Sequence, residues 1–112
     1  MAAAIRQQAQ RRKMEAKFDN DKPKLTLVPR KIIFDIAKVR EYGVKKYGDP
    51  ENWKRVEPER YRDAAFRHFM SYLDDPDGVD DESGLPHLAH LACNIAFLCE
   101  TQGNGERQQA IK

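Results

Sequence analysis

The feature that most constrains the fold is the spacing of polar and apolar residues in the segment 80–99. On a helix of about 3.6 residues per turn, His87, His90 and Asn94 fall within about 60° of arc. The rest of the circumference is apolar and contains Leu85, Leu88, Ala89, Ala92, Ile95, Ala96 and Cys99. The spacing predicts a largely buried helix with one strip of imidazole and amide groups, which is either a binding site or a satisfied polar network in the core.

Two other segments show helical periodicity, whereas the two-residue alternation typical of strands is not sustained over five positions anywhere. We predict the first helix at about 29–47, the second at about 58–73 and the third from 82 or 85 to 100. The chain is therefore predicted to be all-α. We expect a small bundle of three to four helices that is completed by oligomerisation, because a chain of this size buries only a modest core.

Charge is distributed unevenly along the chain. The 112 residues carry a net charge of only +2, but residues 1–24 contain seven Lys or Arg side chains and three acidic ones. We predict a basic arm or docking helix at 1–21, a single helical domain at 22–101 and a polar tail at 102–112. The overall excess is far below that of dedicated nucleic-acid binders, so a nucleic-acid partner is not expected.

The cysteines and the hydropathy pattern indicate the compartment. Cys93 and Cys99 lack the spacing of structural zinc ligands and fit a reducing compartment as small core residues. No apolar run approaches the length of about 18 residues that a membrane span needs, and the first residues lack the apolar core of a signal peptide. We expect a cytoplasmic protein that does not contact the membrane.

Carboxylates are the most promising chemical groups, because phosphate-binding loops, nucleophile elbows and the H-E-x-x-H motif are absent. Asp35 and Glu41 lie on the first predicted helix, Asp63 on the second, and Asp80, Asp81 and Glu82 before or at the start of the third. Their oxygens suit Mg²⁺ or Mn²⁺, which can bridge substrate phosphates and orient a water molecule. Two of them have structural alternatives. Asp35 can form a core salt bridge to an Arg of another helix, and Asp63 can form an i, i+3 pair on a solvated face.

Basic and aromatic residues can complete a nucleotide site around these carboxylates. Lys45, Lys46, Arg60 and Arg67 are suited to neutralise phosphate oxygens, and of these we favour Lys45 and Arg67. The groups that can stack on a base or hydrogen-bond to it are Tyr47, Trp53, His87, His90 and Asn94. Trp53 has the alternative of packing against the bundle, since aromatic side chains dominate small cores.

Four stretches of the chain resemble the small phage-type dATP/dGTP pyrophosphohydrolase family, which is grouped with the MazG-like all-α nucleoside triphosphate pyrophosphohydrolases. They lie at 22–29, at 39–48 with Asn52 and Trp53, at 60–68 and at 80–94, and they include the motifs E-Y-G-x-K-K-Y-G and E-S-G-x-x-H-x-x-H-x-x-x-N. The resemblance implies hydrolysis of a purine deoxynucleoside triphosphate, dATP or dGTP, to monophosphate and pyrophosphate with a divalent metal. It also implies a homo-oligomer, because MazG-like sites are commonly completed across subunits.

On this basis we expect Asp35, Glu41, Asp63 and Glu82 to hold Mg²⁺ or Mn²⁺, with the last three taking part in catalysis. The residues suited to phosphate and base, named above, would line the substrate pocket. The E-E-x-x-E and E-x-x-D motifs of MazG-like enzymes are absent. Two alternatives therefore stay open: a catalytically silent protein that binds a nucleotide or blocks a host defence protein, and a purely structural helical adaptor.

Overall fold

Three α-helices make up most of the part of the chain that the structure describes. The computed structural model covers the backbone of residues 21–111 and the side chains of residues 21–101. The helices are α1 at Lys31–Tyr47, α2 at Pro58–Asp74 and α3 at His87–Ile111. They confirm the predicted all-α class and the small helical bundle. Residues 1–20, which make up nearly all of the predicted basic arm, lie outside the described range.

The segments that connect the helices contain little regular structure. Two 3₁₀ turns occur, one at Leu25–Leu27 before α1 and one at Asn52–Arg55 before α2. Between residues 21 and 111 no strand forms, and a single antiparallel bridge joins Val79 to Pro86 in the loop before α3. The alternating polar and apolar residues at 24–27 therefore lie at a helical turn rather than in a strand.

The bounds of α1 and α2 have local causes. Gly48 ends α1 with a φ of 72°, in the left-handed region, and its N–H donates to the Val44 carbonyl oxygen at 2.7 Å. Lys45 and Lys46 occupy the last turn of α1, where positive charge interacts favourably with the helix dipole. α2 begins with Pro58, whose fixed φ suits the first turn of a helix.

The start of α3 corrects the prediction. The helix begins at His87 rather than at residue 82 or 85, because the preceding segment closes into a loop. In this loop the Asp80 N–H donates to the Leu85 carbonyl oxygen, and the Gly84 N–H donates to the Asp80 carbonyl oxygen, both at 2.8 Å. These bonds use backbone groups that an earlier helix start would need.

The end of α3 also differs from the prediction. The helix continues through Ile111, past the predicted end at Glu100 and through most of the predicted polar tail. Gly103 and Gly105 each lower the helix propensity by about 1 kcal/mol relative to Ala. The glycines therefore weaken this part of the helix without ending it.

The core lies where α3 packs against both other helices. Its centre joins Val39 of α1 to Ala89 and Cys93 of α3. α2 contributes the buried residues Tyr61 and Ala65. Three of these five side chains are small, so the helices can approach closely although little apolar volume is buried.

An aromatic cluster of Trp53, Tyr61 and Phe97 closes one end of the interface between α2 and α3. The Phe97 ring stacks on Trp53 with centroids 5.0 Å apart and contacts Tyr61 at 4.8 Å. The Tyr61 hydroxyl donates to the Trp53 carbonyl oxygen at 2.6 Å, which fixes the loop on α2. The Arg40 guanidinium lies 5.3 Å from the centre of the Phe97 ring, so α1 reaches the same cluster.

The side of α2 that faces away from α3 carries a second apolar stripe, here called the outer stripe. Its members, at i, i+3, i+4 and i+7, are exposed: Phe66, Phe69, Met70 and Leu73. On α1, Ile33 and Phe34 are also exposed, by 60% and 66%. None of the described helices combines the length and apolar character that crossing a bilayer requires.

Candidate active site

The candidate site is built on the loop that joins α2 to α3. The bridge between Val79 and Pro86 holds this loop closed, and the His87 N–H donates to the Gly78 carbonyl oxygen at 3.2 Å. Gly84 has a φ of 72°, which glycine adopts without the steric cost that a Cβ would bring. The backbone of this loop is therefore fixed between the end of α2 and the first residue of α3.

The loop fixes one carboxylate. Asp80 Oδ2 accepts hydrogen bonds from the backbone N–H groups of Glu82 at 3.2 Å and of Ser83 at 2.9 Å. Burial alone would raise the pKa of Asp80, but the hydrogen bonds from Ser83 and the nearby His90 imidazole lower it overall. Asp80 is therefore an oriented carboxylate that stays ionised near neutral pH.

All three histidines of the chain meet beside this carboxylate and form what is here called the imidazole cluster. His68 comes from α2, and His87 and His90 come from α3. The Nδ1 atoms of His68 and His87 lie 3.0 Å apart. The rings of His68 and His90 stack with centroids 4.7 Å apart and planes 10° apart. The cluster is half-buried between the two helices.

Ser83 connects the loop to the imidazole cluster. Its Oγ lies 2.6 Å from His90 Nε2 and accepts a hydrogen bond from the Leu85 N–H at 3.1 Å. Asp80 Oδ2 lies 3.9 Å from the same His90 nitrogen. His90 therefore has both a hydroxyl and an ionised carboxylate on one side of its ring.

Burial keeps two of the imidazoles neutral. It lowers the pKa of His68, and the neighbouring His90 lowers this pKa further. Burial also lowers the pKa of His90, against the opposing effect of the Asp80 carboxylate. At neutral pH both rings therefore have a nitrogen lone pair that can accept a proton or bind a metal ion.

A second polar group lies beside the loop and includes two residues of α1. Lys46 Nζ forms an ion pair with Glu82 Oε1 at 2.6 Å. Hydrogen bonds from Lys46 and Tyr42 lower the pKa of Glu82, and the Glu82 carboxylate in turn raises the pKa of Lys46. The Tyr42 and His90 rings are nearly perpendicular with centroids 6.4 Å apart, so this group is adjacent to the imidazole cluster.

The structure brings together part of the set of site residues predicted from the sequence. His87 and His90 lie in the imidazole cluster. Asn94 lies one turn further along α3, where its Nδ2 donates to the His90 carbonyl oxygen at 2.9 Å. Glu82 lies in the adjacent group with Lys46. These four residues remain predicted site residues, and they lie in the imidazole cluster or next to it.

The other predicted carboxylates do not join them. Asp35 pairs with Lys31 of its own helix at 2.8 Å, not with an Arg of another helix. Glu41 and Asp63 are exposed. Within the described residues, a group of three possible metal-ligating side chains occurs once, and it contains none of these three carboxylates. The four predicted metal ligands therefore do not converge within one chain.

The remaining predicted residues lie outside the cluster as well. Lys45 and Arg67 are exposed, and Tyr47 is 60% exposed with the Lys46 ammonium 5.4 Å from its ring centre. Trp53 packs against Phe97 in the aromatic cluster, as in the packing alternative. Phe97 lies seven residues, or about 10 Å, along α3 from His90.

Sequence reasoning assigned no site role to His68 and Ser83, and it named Asp80 only within the group of acids before the third helix. His68 follows Tyr61 by seven residues and Ala65 by three, so helical spacing places it on the buried side of α2. That signal could have identified it. The positions of Asp80 and Ser83 depend on the closed loop, which no periodic pattern in the sequence predicts.

Residues 12–111 match the family described as dATP/dGTP diphosphohydrolase, N-terminal. A dATP/dGTP diphosphohydrolase of Salmonella phage PMBT28 is 38% identical over 82 residues, which are 73% of this chain and 28% of that relative. The chain thus covers less than a third of the length of this curated relative. No solved structure matches.

The family match covers the loop, all three helices and every residue of the imidazole cluster. It confirms the resemblance to the phage-type enzymes that the sequence motifs indicate. The chain therefore belongs to the dATP/dGTP diphosphohydrolase N-terminal family.

Proposed function

We propose that this domain hydrolyses purine deoxynucleoside triphosphates, dATP or dGTP, to monophosphate and pyrophosphate with the help of a divalent metal ion. The family and the name of the Salmonella phage relative support this substrate class. The observation that carries the proposal is the convergence of all three histidines with Asp80 and Ser83 beside one closed loop. Such a set of groups can both accept a proton and bind a cation.

The proposed reaction sets clear chemical requirements. A water molecule attacks the α-phosphorus, the bond from that phosphorus to the α–β bridging oxygen breaks, and pyrophosphate leaves with this oxygen. The water must lose a proton, and the negative charge that builds up on the phosphate oxygens must be neutralised. A bound divalent ion would neutralise phosphate oxygens and lower the pKa of water.

His90 is suited to accept the proton. When Nε2 of the neutral ring carries the lone pair, the Ser83 hydroxyl, 2.6 Å away, can donate its proton to Nε2 and take up the proton of the attacking water. Asp80 Oδ2, 3.9 Å from the same nitrogen, would stabilise the imidazolium that results. In this proposal His90 acts as the general base, and Asp80 supports it electrostatically.

Lys46 brings positive charge to the same region. Its ammonium is paired with Glu82, and substrate phosphates can compete with that carboxylate for it. Lys45 and Arg67 remain the phosphate ligands predicted from the sequence. The adjacent Lys46 is the cation whose position beside the imidazole cluster supports such a role.

Product analysis tests the proposal. We would incubate the protein with each of the four deoxynucleoside triphosphates and Mn²⁺ or Mg²⁺, and separate the products by ion-exchange chromatography. Monophosphate and pyrophosphate should form from dATP or dGTP. An α,β-methylene analogue should resist cleavage, whereas a β,γ-methylene analogue should still be cleaved. Release of inorganic phosphate or of triphosphate, or no product at all, would contradict the proposal.

The alternative is a protein that binds a nucleotide without hydrolysing it. One observation favours it: Asp35, Glu41 and Asp63 do not converge with Glu82 within the described chain. Equilibrium dialysis with dGTP in EDTA and in Mn²⁺ separates the two. A silent binder should bind equally well in both, whereas the proposed enzyme should bind more tightly with metal and turn the nucleotide over.

We also propose that the chain forms a homo-oligomer through the outer stripe of α2. Phe66 and Leu73 are 67% and 61% exposed, and the other two members of the stripe lie between them. Such a continuous apolar face is unfavourable in water and is self-complementary when two copies meet. Light scattering after size exclusion should show more than one chain. Phe66→Glu with Met70→Glu should give a monomer, and a monomeric unmodified chain would contradict the proposal.

A further inference from the structure

We propose that His68, Asp80 and His87 form a binding site for one first-row transition-metal ion, such as Mn²⁺, Co²⁺ or Zn²⁺. These three residues each offer a ligand atom, and the three atoms lie within 4.8 Å of one another. The role of this metal in hydrolysis rests on the proposed function. Binding of the metal does not, because it can be measured without any nucleotide.

The distances suit a shared ion. Two nitrogen ligands about 2.0–2.1 Å from a tetrahedral ion lie about 3.3 Å apart. The Nδ1 atoms of His68 and His87 are 3.0 Å apart, so a movement of a few tenths of an ångström admits an ion between them. A hydrogen bond between the same atoms needs a proton on one of them, and a metal ion takes the place of that proton.

The ligands are held in place by their surroundings. Backbone N–H groups of Glu82 and Ser83 bind Asp80 Oδ2, and the stacked ring of His90 supports His68. Groups of this kind behind the ligands orient them and raise metal affinity. The burial that lowers the pKa of His68 also favours the neutral imidazole that a metal requires.

The donor set indicates the class of metal. Two imidazole nitrogens and one carboxylate oxygen suit Mn²⁺, Co²⁺ or Zn²⁺, whereas Mg²⁺ prefers oxygen ligands. Three protein ligands also leave at least one position open, as in catalytic rather than structural sites. In the proposed reaction, that open position would take a water molecule or a phosphate oxygen.

The site replaces the oxygen-only set predicted from the sequence with a mixed one. Asp35, Glu41 and Asp63 lie on exposed or half-buried surfaces apart from it, while Glu82 lies beside it in an ion pair with Lys46. The two sets make opposite predictions about which Asp→Asn change weakens metal binding. Asp80 and Asp63 therefore form a matched pair of test positions.

The experiment measures metal binding without nucleotide. The full chain is treated with EDTA, dialysed and titrated calorimetrically with MnCl₂, CoCl₂, ZnCl₂ or MgCl₂. We expect one transition-metal ion per chain, bound at least about tenfold more tightly than Mg²⁺. Asp80→Asn and His87→Asn should each weaken binding at least about 100-fold. Asp63→Asn removes the same charge from an exposed carboxylate and should leave the affinity unchanged.

The unmodified chain supplies a check that does not depend on the folding of variants. Because all three histidines lie at the site, their ring proton signals in NMR should broaden together when Mn²⁺ is added. Unbroadened histidine signals at saturating Mn²⁺, or loss of affinity in Asp63→Asn but not in Asp80→Asn, would overturn the proposal. Metal binding at the histidines without nucleotide cleavage would refute the proposed enzyme alone. Cleavage that persists when Asp80→Asn and His87→Asn abolish metal binding would refute the role of this metal in hydrolysis and the support that Asp80 gives to His90, but not the metal site itself.

Discussion

The two ends of the interface between α2 and α3 differ in chemistry although the same two helices form both. At one end Tyr61 of α2 meets Phe97 of α3, and at the other His68 of α2 meets His87 and His90 of α3. On α3, His87, His90 and Phe97 lie on the same face, since they are spaced at i, i+3 and i+10. The helical period therefore determines which face of α3 packs against α2, and the residue types on that face determine its chemistry.

In the proposed function the two ends of this interface have different roles, stability at the aromatic end and chemistry at the imidazole end. Burying a phenyl ring is favourable by about 1.5–3 kcal/mol. Burying neutral imidazoles is unfavourable unless their nitrogens are paired, and pairing at this end comes from Ser83 and from the histidines themselves. The aromatic cluster is thus expected to hold together a polar end that contributes little stability of its own.

The largest expected effect is the loss of turnover in His90→Ala. Removal of a general base commonly reduces turnover by about 10²–10⁴-fold, and we expect a loss in this range for dATP or dGTP cleavage. The free energy of unfolding should fall by only about 1–2 kcal/mol, because the side chain is 12% exposed and its main lost contact is polar. Initial rates and urea unfolding measure the two quantities. If the variant instead unfolds, the imidazole cluster is a structural network, and the assignment of stability to the aromatic end alone is refuted.

Phe97→Ala tests the opposite end and should have the opposite signature. The change removes the stacking on Trp53 and the contact with Tyr61, and we expect a loss of about 2–4 kcal/mol in the free energy of unfolding. The fraction that stays folded should keep its turnover at low temperature. Leu88→Ala, at a 47% exposed position of the same helix, is the control and should cost less than about 1 kcal/mol. Equal losses from both variants would contradict the assignment of stability to the aromatic cluster.

Gly84→Ala acts on the loop that carries the imidazole end. A Cβ at this position would meet no atom within 4 Å, so the expected cost of about 1–2 kcal/mol comes from the left-handed backbone alone. Gly43→Ala is the matched control, because its Cβ also meets nothing within 4 Å and it lies inside α1. We expect this control to stabilise the protein by about 0.5–1 kcal/mol. Thermal unfolding of both variants measures the difference, and a loss of stability in Gly43→Ala would contradict the expectation.

The smallest expected effect is a pH dependence of stability that arises from Cys93. This residue lies between the two ends and is 2% exposed. Burial raises the pKa of its thiol to about 11, whereas an unfolded thiol has a pKa of about 8.5. Between these values the folded chain keeps a proton that the unfolded chain loses, so stability should fall as the pH rises from about 8.5 to 11. Melting temperatures should show this slope, and Cys93→Ala should flatten it. At pH 8 a thiol reagent should modify the exposed Cys99 and spare Cys93; fast modification of both would contradict this burial.

Periodicity accounts for what could be predicted from the sequence. The pattern around His87, His90 and Asn94 was sufficient to predict a helix with a polar strip, and the motifs in the same segment indicated the family. The bounds of α1 and α2 follow from Gly48 and Pro58, whose conformational preferences are local. These features depend only on neighbouring residues.

The composition of the site depends on contacts that periodicity does not report. Asp35 lies among apolar residues in the sequence, but Ile32 is 44% exposed and Asp35 simply pairs with Lys31. Asp80 lies in a run of acids, and only the backbone groups of Glu82 and Ser83 distinguish it from the others. Helix rotation and loop closure decide which carboxylates converge, and both are properties of the folded chain.

The outer stripe of α2 has a consequence for the site on the other side of the helix. His68 and Phe66 belong to the same helix, so the self-association proposed above would restrict movement of α2 and with it the position of His68 relative to His87. The separation of the two nitrogens would then respond to self-association. Turnover per chain at saturating nucleotide would rise with total protein concentration, and the domain would report its own abundance.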